Sequence, residues 1–146
     1  MKMRSYEGRT IGRVLRSYDW LKKLRPKSVN VVEDRSVPFI HFPDSTRKSL
    51  TNSVVCVEDW CSAEKLSALY PTISLQGTDF RNGFAEYLAS IGVEVLYIAL
   101  DNDAIAKQYK IKKDIDFFFQ SVILMRLHKD IKDMNDLELE EFTREI

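Results

Sequence analysis

Glu58 stands directly after the apolar run Val54-Val55-Cys56-Val57, and Asp101-Asn102-Asp103 directly after a second one, Val95-Leu96-Tyr97-Ile98-Ala99-Leu100. Carboxylates at the C-terminal ends of buried parallel strands occupy the edge at which open α/β sheets hold their ligands. Three of them close together cannot all stay ionised at neutral pH without a counter-cation. Mg²⁺ is the economical one, because it takes hard oxygen ligands and keeps open positions for phosphates. Asp101 or Asp103 taken singly could instead cap the following helix, but capping does not account for two strands delivering acids to one edge. The chemistry this pattern suits is phosphoryl transfer, which asks a protein for in-line placement and charge neutralisation more than for covalent work.

To present these acids, apolar runs of strand length must alternate with amphipathic helices, and from Ser53 onward they do. The expected strands cover residues 54–57, 72–75, 94–100 and 123–127. A helix is expected over 62–69. Phe84, Tyr87, Leu88 and Ile91, spaced i, i+3, i+4 and i+7, line one face of a second helix, with Asp79 as its cap and Gly92 at its end. Beyond Asp103 the spacing of Ile111, Ile115, Phe118, Phe119 and Val122 predicts one long helix that covers the sheet with core aromatics. Asn135-Asp136 caps a terminal helix carrying Leu137 and Phe142. Residues 5–16 and Val37–Phe42 read as short strands or extended segments. The expected class is therefore α/β: a Rossmann-like domain over residues 51–146 with a mainly parallel four-stranded sheet flanked by helices, preceded by a short basic mixed segment over residues 1–50.

The chain has 146 residues, enough for one substantial core. Nothing approaches the ~20 apolar residues of a membrane span, and the first residues lack the apolar stretch of a secretory signal, so a cytoplasmic location is expected. Cys56 and Cys61 fit neither a disulfide framework nor a zinc ligand spacing and read as reduced structural thiols. His41, within an apolar run, reads as a satisfied core or edge residue, and His128 has no partner at metal-ligand spacing. A formal net charge of zero hides an asymmetry: nine basic residues lie between Lys2 and Lys27 against only Glu7 and Asp19, whereas the end of the chain from Asp130 is acidic. A basic leader interleaved with Tyr6, Tyr18 and Trp20 suits a phosphate backbone with base stacking; it suits a solvated charged face as well.

At these residues the chain resembles the Toprim domain, the catalytic module of bacterial-type and phage primases, type IA and II topoisomerases and several nucleases. Glu58-Asp59-Trp60-Cys61-Ser62-Ala63 resembles the first Toprim motif in the Glu-Asp-x-x-Ser-Ala form of phage primases. Ser74-Leu75-Gln76-Gly77-Thr78 resembles the glycine turn after the second strand, and Asp101-Asn102-Asp103 the Asp-x-Asp motif. Lys132-Asp133-Met134-Asn135-Asp136-Leu137 is similar to the closing Lys-Asp-x-Asn-Asp segment of primases. Upstream, Gly8-Arg9 and Pro26-Lys27-Ser28-Val29-Asn30 resemble segments that precede Toprim in phage primases. Ile105 stands where a glycine often follows the Asp-x-Asp motif.

The resemblance implies that Asp101 and Asp103 hold Mg²⁺ or Mn²⁺, with Glu58 as a further ligand or proton acceptor. It implies supporting places for Asp59, Gly77 and Asp133, with Asp136 as a further extension of the site, although capping or solvation explains each of these acids better. Arg9, Arg13 and Lys27 are the candidates for contacts to nucleic acid or nucleotide. The implied activity is that of a metal-dependent nucleotidyltransferase making RNA primers from nucleoside triphosphates on single-stranded DNA, in phage or mobile-element replication and hence in a bacterial or phage-infected cytoplasm. The chain carries neither a cysteine-rich zinc module nor a Walker A lysine loop and lacks much of the usual N-terminal polymerase subdomain. A replicative helicase or another primase subunit is therefore an expected partner. A small Toprim nuclease and a non-catalytic module binding nucleic acid or a replication partner are the alternatives.

Overall fold

The computed structural model describes residues 1–16 and 28–146. Its second half is the expected layered unit: a four-stranded parallel sheet in the order β5-β4-β6-β7, formed by β4 (Ser53–Val57), β5 (Thr72–Ser74), β6 (Val95–Ala99) and β7 (Ser121–Leu124). Helices α2 (Trp60–Leu66), α3 (Phe84–Ser90) and α4 (Ile105–Ile115) connect successive strands, and α5 (Asp136–Arg144) follows the last. Both faces of the sheet are covered. Val54 and Cys56 point into a core with Leu88 of α3, Ile111 and Ile115 of α4, and Leu96 and Ile98 of β6. Val55 and Val57 point the other way, into a core with Leu66 of α2 and Leu139 and Phe142 of α5. The continuous apolar run in β4 is thus a strand of period two with both sides buried.

The leading residues form a separate three-stranded antiparallel sheet, β1 (Lys2–Arg4), β2 (Thr10–Arg16) and β3 (Ser28–Val32), in that order. Beneath it lies a small core of Met3, Ile11, Val14 and Phe39. Gly12 makes this packing possible, since a Cβ there would come within 2.3 Å of the Val31 carbonyl oxygen and 2.5 Å of the Phe39 ring. From Phe39 the chain crosses to the parallel sheet. Ile40 and Phe42 enter its larger core, and His41 forms an isolated antiparallel bridge with Ser74 at the β5 edge. α1 (Asp44–Ser49) then docks through Thr46, whose buried hydroxyl donates to the Thr72 carbonyl at 2.6 Å and accepts from the Thr72 amide at 2.9 Å.

Several expected boundaries shift. The long helix after Asp103 stops at Ile115; residues 116–118 form a 3-10 turn, and Val122 belongs to β7. Its inward-facing position on a strand continued the helical spacing by coincidence, which displaced the expected fourth strand from 121–124 to 123–127. Asp79 caps nothing. It pairs with Lys107 at 2.7 Å, and α3 starts behind Gly83 in left-handed backbone. Residues 37–42 hold a single bridge rather than a strand. Asn135 does cap α5, in a full capping box with Glu138. No helix among the described residues is long and apolar enough to cross a membrane.

Gly12→Ala is expected to lower stability by about 1–3 kcal/mol, because the obstacle includes backbone that must move. Urea unfolding checks this, and an unchanged midpoint would mean that the small sheet adapts freely.

Candidate active site

The parallel ladder pairs Val57 with Ala99, so β4 and β6 end level and release the chain at one edge. Glu58 leaves β4 immediately, and Asp101 leaves β6 after Leu100. Their carboxyl groups lie within hydrogen-bonding reach of each other, and such a bond forms only when one of them carries a proton. Partial burial, that bond and the charges of Asp101, Asp103 and Asp59, in this order, push Glu58 up to about 8. Asp103 lies exposed on a 3-10 turn, Asn102–Ala104, at the mouth of the site.

A fourth carboxylate joins them. The loop after β7 returns Asp130 to hydrogen-bonding contact with Asp101, and burial followed by the Asp101 charge raises its pKa. Asp101, Asp103 and Asp130 line a pocket of about 260 Å³ together with Leu127, His128 and Lys129. In the sequence Asp130 reads only as one acid in an acidic tail. The available signal was that the fourth strand, like the first and third, is followed by a carboxylate at the same edge of a parallel sheet. Asp133 ends the 3-10 turn Ile131–Asp133 and is exposed, and Asp136 opens α5 behind its cap.

The remaining candidates have structural partners. Asp59 caps α2, accepting from the Ser62 amide at 2.8 Å and its hydroxyl at 3.1 Å. Gly77, at a φ of 144° in the left-handed half of backbone space, donates its N–H to the Glu58 carbonyl at 3.0 Å and so fixes the chain on which Glu58 rides. Gln76 beside it accepts from the Asn30 amide group at 3.3 Å, which ties the small sheet to this turn. Arg9 and Arg13 lie on the surface of the small sheet, paired with Asp34 at 3.1 Å and Glu33 at 2.8 Å. Exposed pairs of this kind are weak, and a phosphate can compete for either guanidinium. Lys27 lies outside the described residues.

Among the described residues no three His, Cys, Asp or Glu side chains close on a single point; the acids stand in pairs, Glu58 with Asp101 and Asp101 with Asp130. Mg²⁺ needs no more than one or two protein carboxylates, because water and substrate phosphates complete its octahedron. A carboxyl pair close enough to share a proton is also a pair whose proton a divalent cation can displace.

Comparison with known proteins bears on the fold. No protein-family model matches the sequence, and no curated protein matches it. Solved structures do. The Aquifex aeolicus primase, in a structure of its zinc-binding and RNA polymerase domains, superposes with a TM-score of 0.74 at 17% identity, over 99% of this chain and 38% of that one. The RNA polymerase domain of the Mycobacterium tuberculosis primase gives 0.73 at 16% identity, over 98% of this chain and 53% of that one. The likeness is one of fold. Nearly all of the chain follows that fold while spanning at most about half of each neighbour.

Glu58 also makes stability depend on pH. Its pKa is raised from 4.5 in the unfolded chain to about 8 in the fold, so the folded state holds the extra proton between these values. The contribution is complete below about 4.5 and is lost as pH rises through about 8. Without divalent ions, the melting temperature is expected to fall from pH 5 to pH 8 and this slope to flatten in Glu58→Gln. Equal slopes in the two proteins would place the proton elsewhere.

Proposed function

We propose that the chain carries a divalent-cation-dependent nucleotidyltransferase centre of the primase kind, which joins nucleoside triphosphates into short RNA on single-stranded DNA. The observation that carries this reading is the Glu58–Asp101 contact at the level ends of two neighbouring parallel strands, on a fold shared with two primase structures. The segments that resemble Toprim motifs, Glu58-Asp59-x-x-Ser62-Ala63 and Asp101-x-Asp103, both begin at these strand ends.

Asp101 and Asp103 would hold Mg²⁺ or Mn²⁺, with Glu58 beside them, and the bound ion would neutralise charge on the phosphate oxygens and acidify the attacking hydroxyl. The work left to the protein is placement. Glu58, whose proton a bound cation would displace, would then stand beside the ion as the carboxylate that takes a proton from a sugar hydroxyl. Asp130 orients Asp101 through their mutual contact. Arg9 and Arg13 of the small sheet, with Lys27, would contact phosphates of the template or the nucleotide. The Glu-Asp-x-x-Ser-Ala form supports a setting in phage or mobile-element replication. A replicative helicase or another primase subunit is the proposed protein partner.

Nucleotide incorporation on a mixed-sequence single-stranded DNA template with Mg²⁺ or Mn²⁺ tests this. Asp101→Asn is expected to lower incorporation by about 100-fold or more, the scale of losing one electrostatic contact to a transition state. Metal-dependent cleavage of labelled RNA or DNA without nucleotide-dependent synthesis would sink the primase reading and assign the same acids to a nuclease that activates water.

A further inference from the structure

On the β7 side of the carboxylates, the first turns of α4 and the end of β7 enclose a cavity of about 310 Å³ lined by Ile105, Gln108, Tyr109, Leu124, Met125 and Arg126. It continues the acidic edge directly. Ile105 lies two residues beyond Asp103, and Arg126 precedes Leu127, a lining residue of the acidic pocket. Gln108, only 4% exposed, donates from Nε2 to the carbonyls of Leu100 at 3.2 Å and Asp101 at 3.4 Å. The cavity wall is therefore bonded to the strand end that carries Asp101. At the rim, Tyr109 is 65% exposed and stands one helical turn from Ile105, which is 38% exposed. Arg126 is exposed, and among the described residues no carboxylate pairs with it.

A flat exposed ring, an aliphatic neighbour and an unpaired guanidinium at one small cavity match the three parts of a nucleotide: base, sugar and phosphate. The volume lies at the lower end of small-ligand pockets, which admits one nucleotide unit. Nucleotidyl transfer brings together two such units, one with the phosphate under attack and one with the attacking hydroxyl, roughly in line across the reacting phosphorus. The small sheet, bonded through Asn30 to Gln76, flanks the carboxylates from the β5 side; the cavity flanks them from the β7 side.

We infer that the α4–β7 cavity is a nucleotide subsite, with the base against Tyr109, the sugar against Ile105 and Leu124, and a phosphate at Arg126. This deepens the nucleotidyltransferase reading and rests on it. The nucleotide comes either as a free triphosphate or as the terminal residue of a strand.

Photo-crosslinking of the full chain with Mg²⁺ separates these sources, using 8-azido-ATP in one arm and a short oligoribonucleotide ending in 8-azidoadenosine in the other. The expected result is an adduct mapped by mass spectrometry to residues 105–109 or 124–126, and the arm that labels identifies the source. Labelling falls about tenfold in Tyr109→Ala, returns in Tyr109→Phe, and falls in Arg126→Ala. Labelling elsewhere that is lost in Asp101→Asn but unchanged in Tyr109→Ala and Arg126→Ala would overturn the subsite and leave the carboxylate centre standing. No labelling of the wild-type chain in either arm would overturn both.

Discussion

The rest of the structure depends on the ladder between β4 and β6, because it forces carboxyl groups together that would repel one another in water. Five residue pairs, from Ser53 with Val95 to Val57 with Ala99, set the register. Both strands are central, with apolar residues packed on the two faces, so a one-residue slip would exchange every inward and outward side chain. The register is therefore strongly specified, and with it the level at which Glu58 and Asp101 emerge. Repulsion between the acids is a small local cost set against a large core. Burial first, and then the neighbouring acids, push the Glu58 carboxyl up to about 8, which is how the edge accommodates them without a cation.

The loops leaving this edge are each held by an anchor outside the acids themselves. The Gly77 amide fixes the Glu58 backbone, and the Asp59 cap starts α2 immediately afterwards. Gln108 holds the carbonyls of Leu100 and Asp101 from α4. From α2, Lys65 donates to the Lys132 and Met134 carbonyls, which secures the turn just beyond Asp130. Helix-borne side chains thus reach backbone carbonyls of the loops and leave the carboxylates free for other partners. Preorganisation of this kind suits electrostatic catalysis, in which the groups must be aimed before charge develops.

Much of this arrangement could be read from the residues, for identifiable reasons. Val54–Val57 and Val95–Leu100 are apolar without interruption, as strands covered on both faces are, and the acids that close them stand out for that reason. Asn135 and Glu138 form a local pattern with a local cause, and the capping box appears as expected. What could not be read depends on tertiary context. Ile111, Ile115 and Val122 share one core but belong to different elements, and periodicity alone does not register the break between them. Asp130 reaches Asp101 only because β7 lies beside β6, a fact of strand order that spacing along the chain does not encode. Asp79 looks like a cap until Lys107, from a helix distant in sequence, reaches it.

The small sheet is joined to the parallel sheet through polar contacts whose geometry requires a neutral histidine. His41 is 3% exposed; its Nδ1 accepts the Arg4 amide at 3.0 Å and its Nε2 lies 2.7 Å from a Glu64 carboxylate oxygen. Accepting at Nδ1 places the proton on Nε2, which then donates to Glu64. Burial, the largest influence, lowers the His41 pKa against the opposing pull of Glu64, which keeps the ring in the one form that satisfies β1 and α2 together. A second seam runs from Asn30 to Gln76 and, through the adjacent Gly77, to the Glu58 carbonyl. The surface that carries Arg9 and Arg13 is thereby tied at two points, to α2 through His41 and to the backbone of the carboxylate edge through Gln76. Two fixed points hold the weakly paired guanidiniums of one sheet in a set relation to the acids of the other, because polar bonds with defined geometry leave the two sheets little freedom to slide.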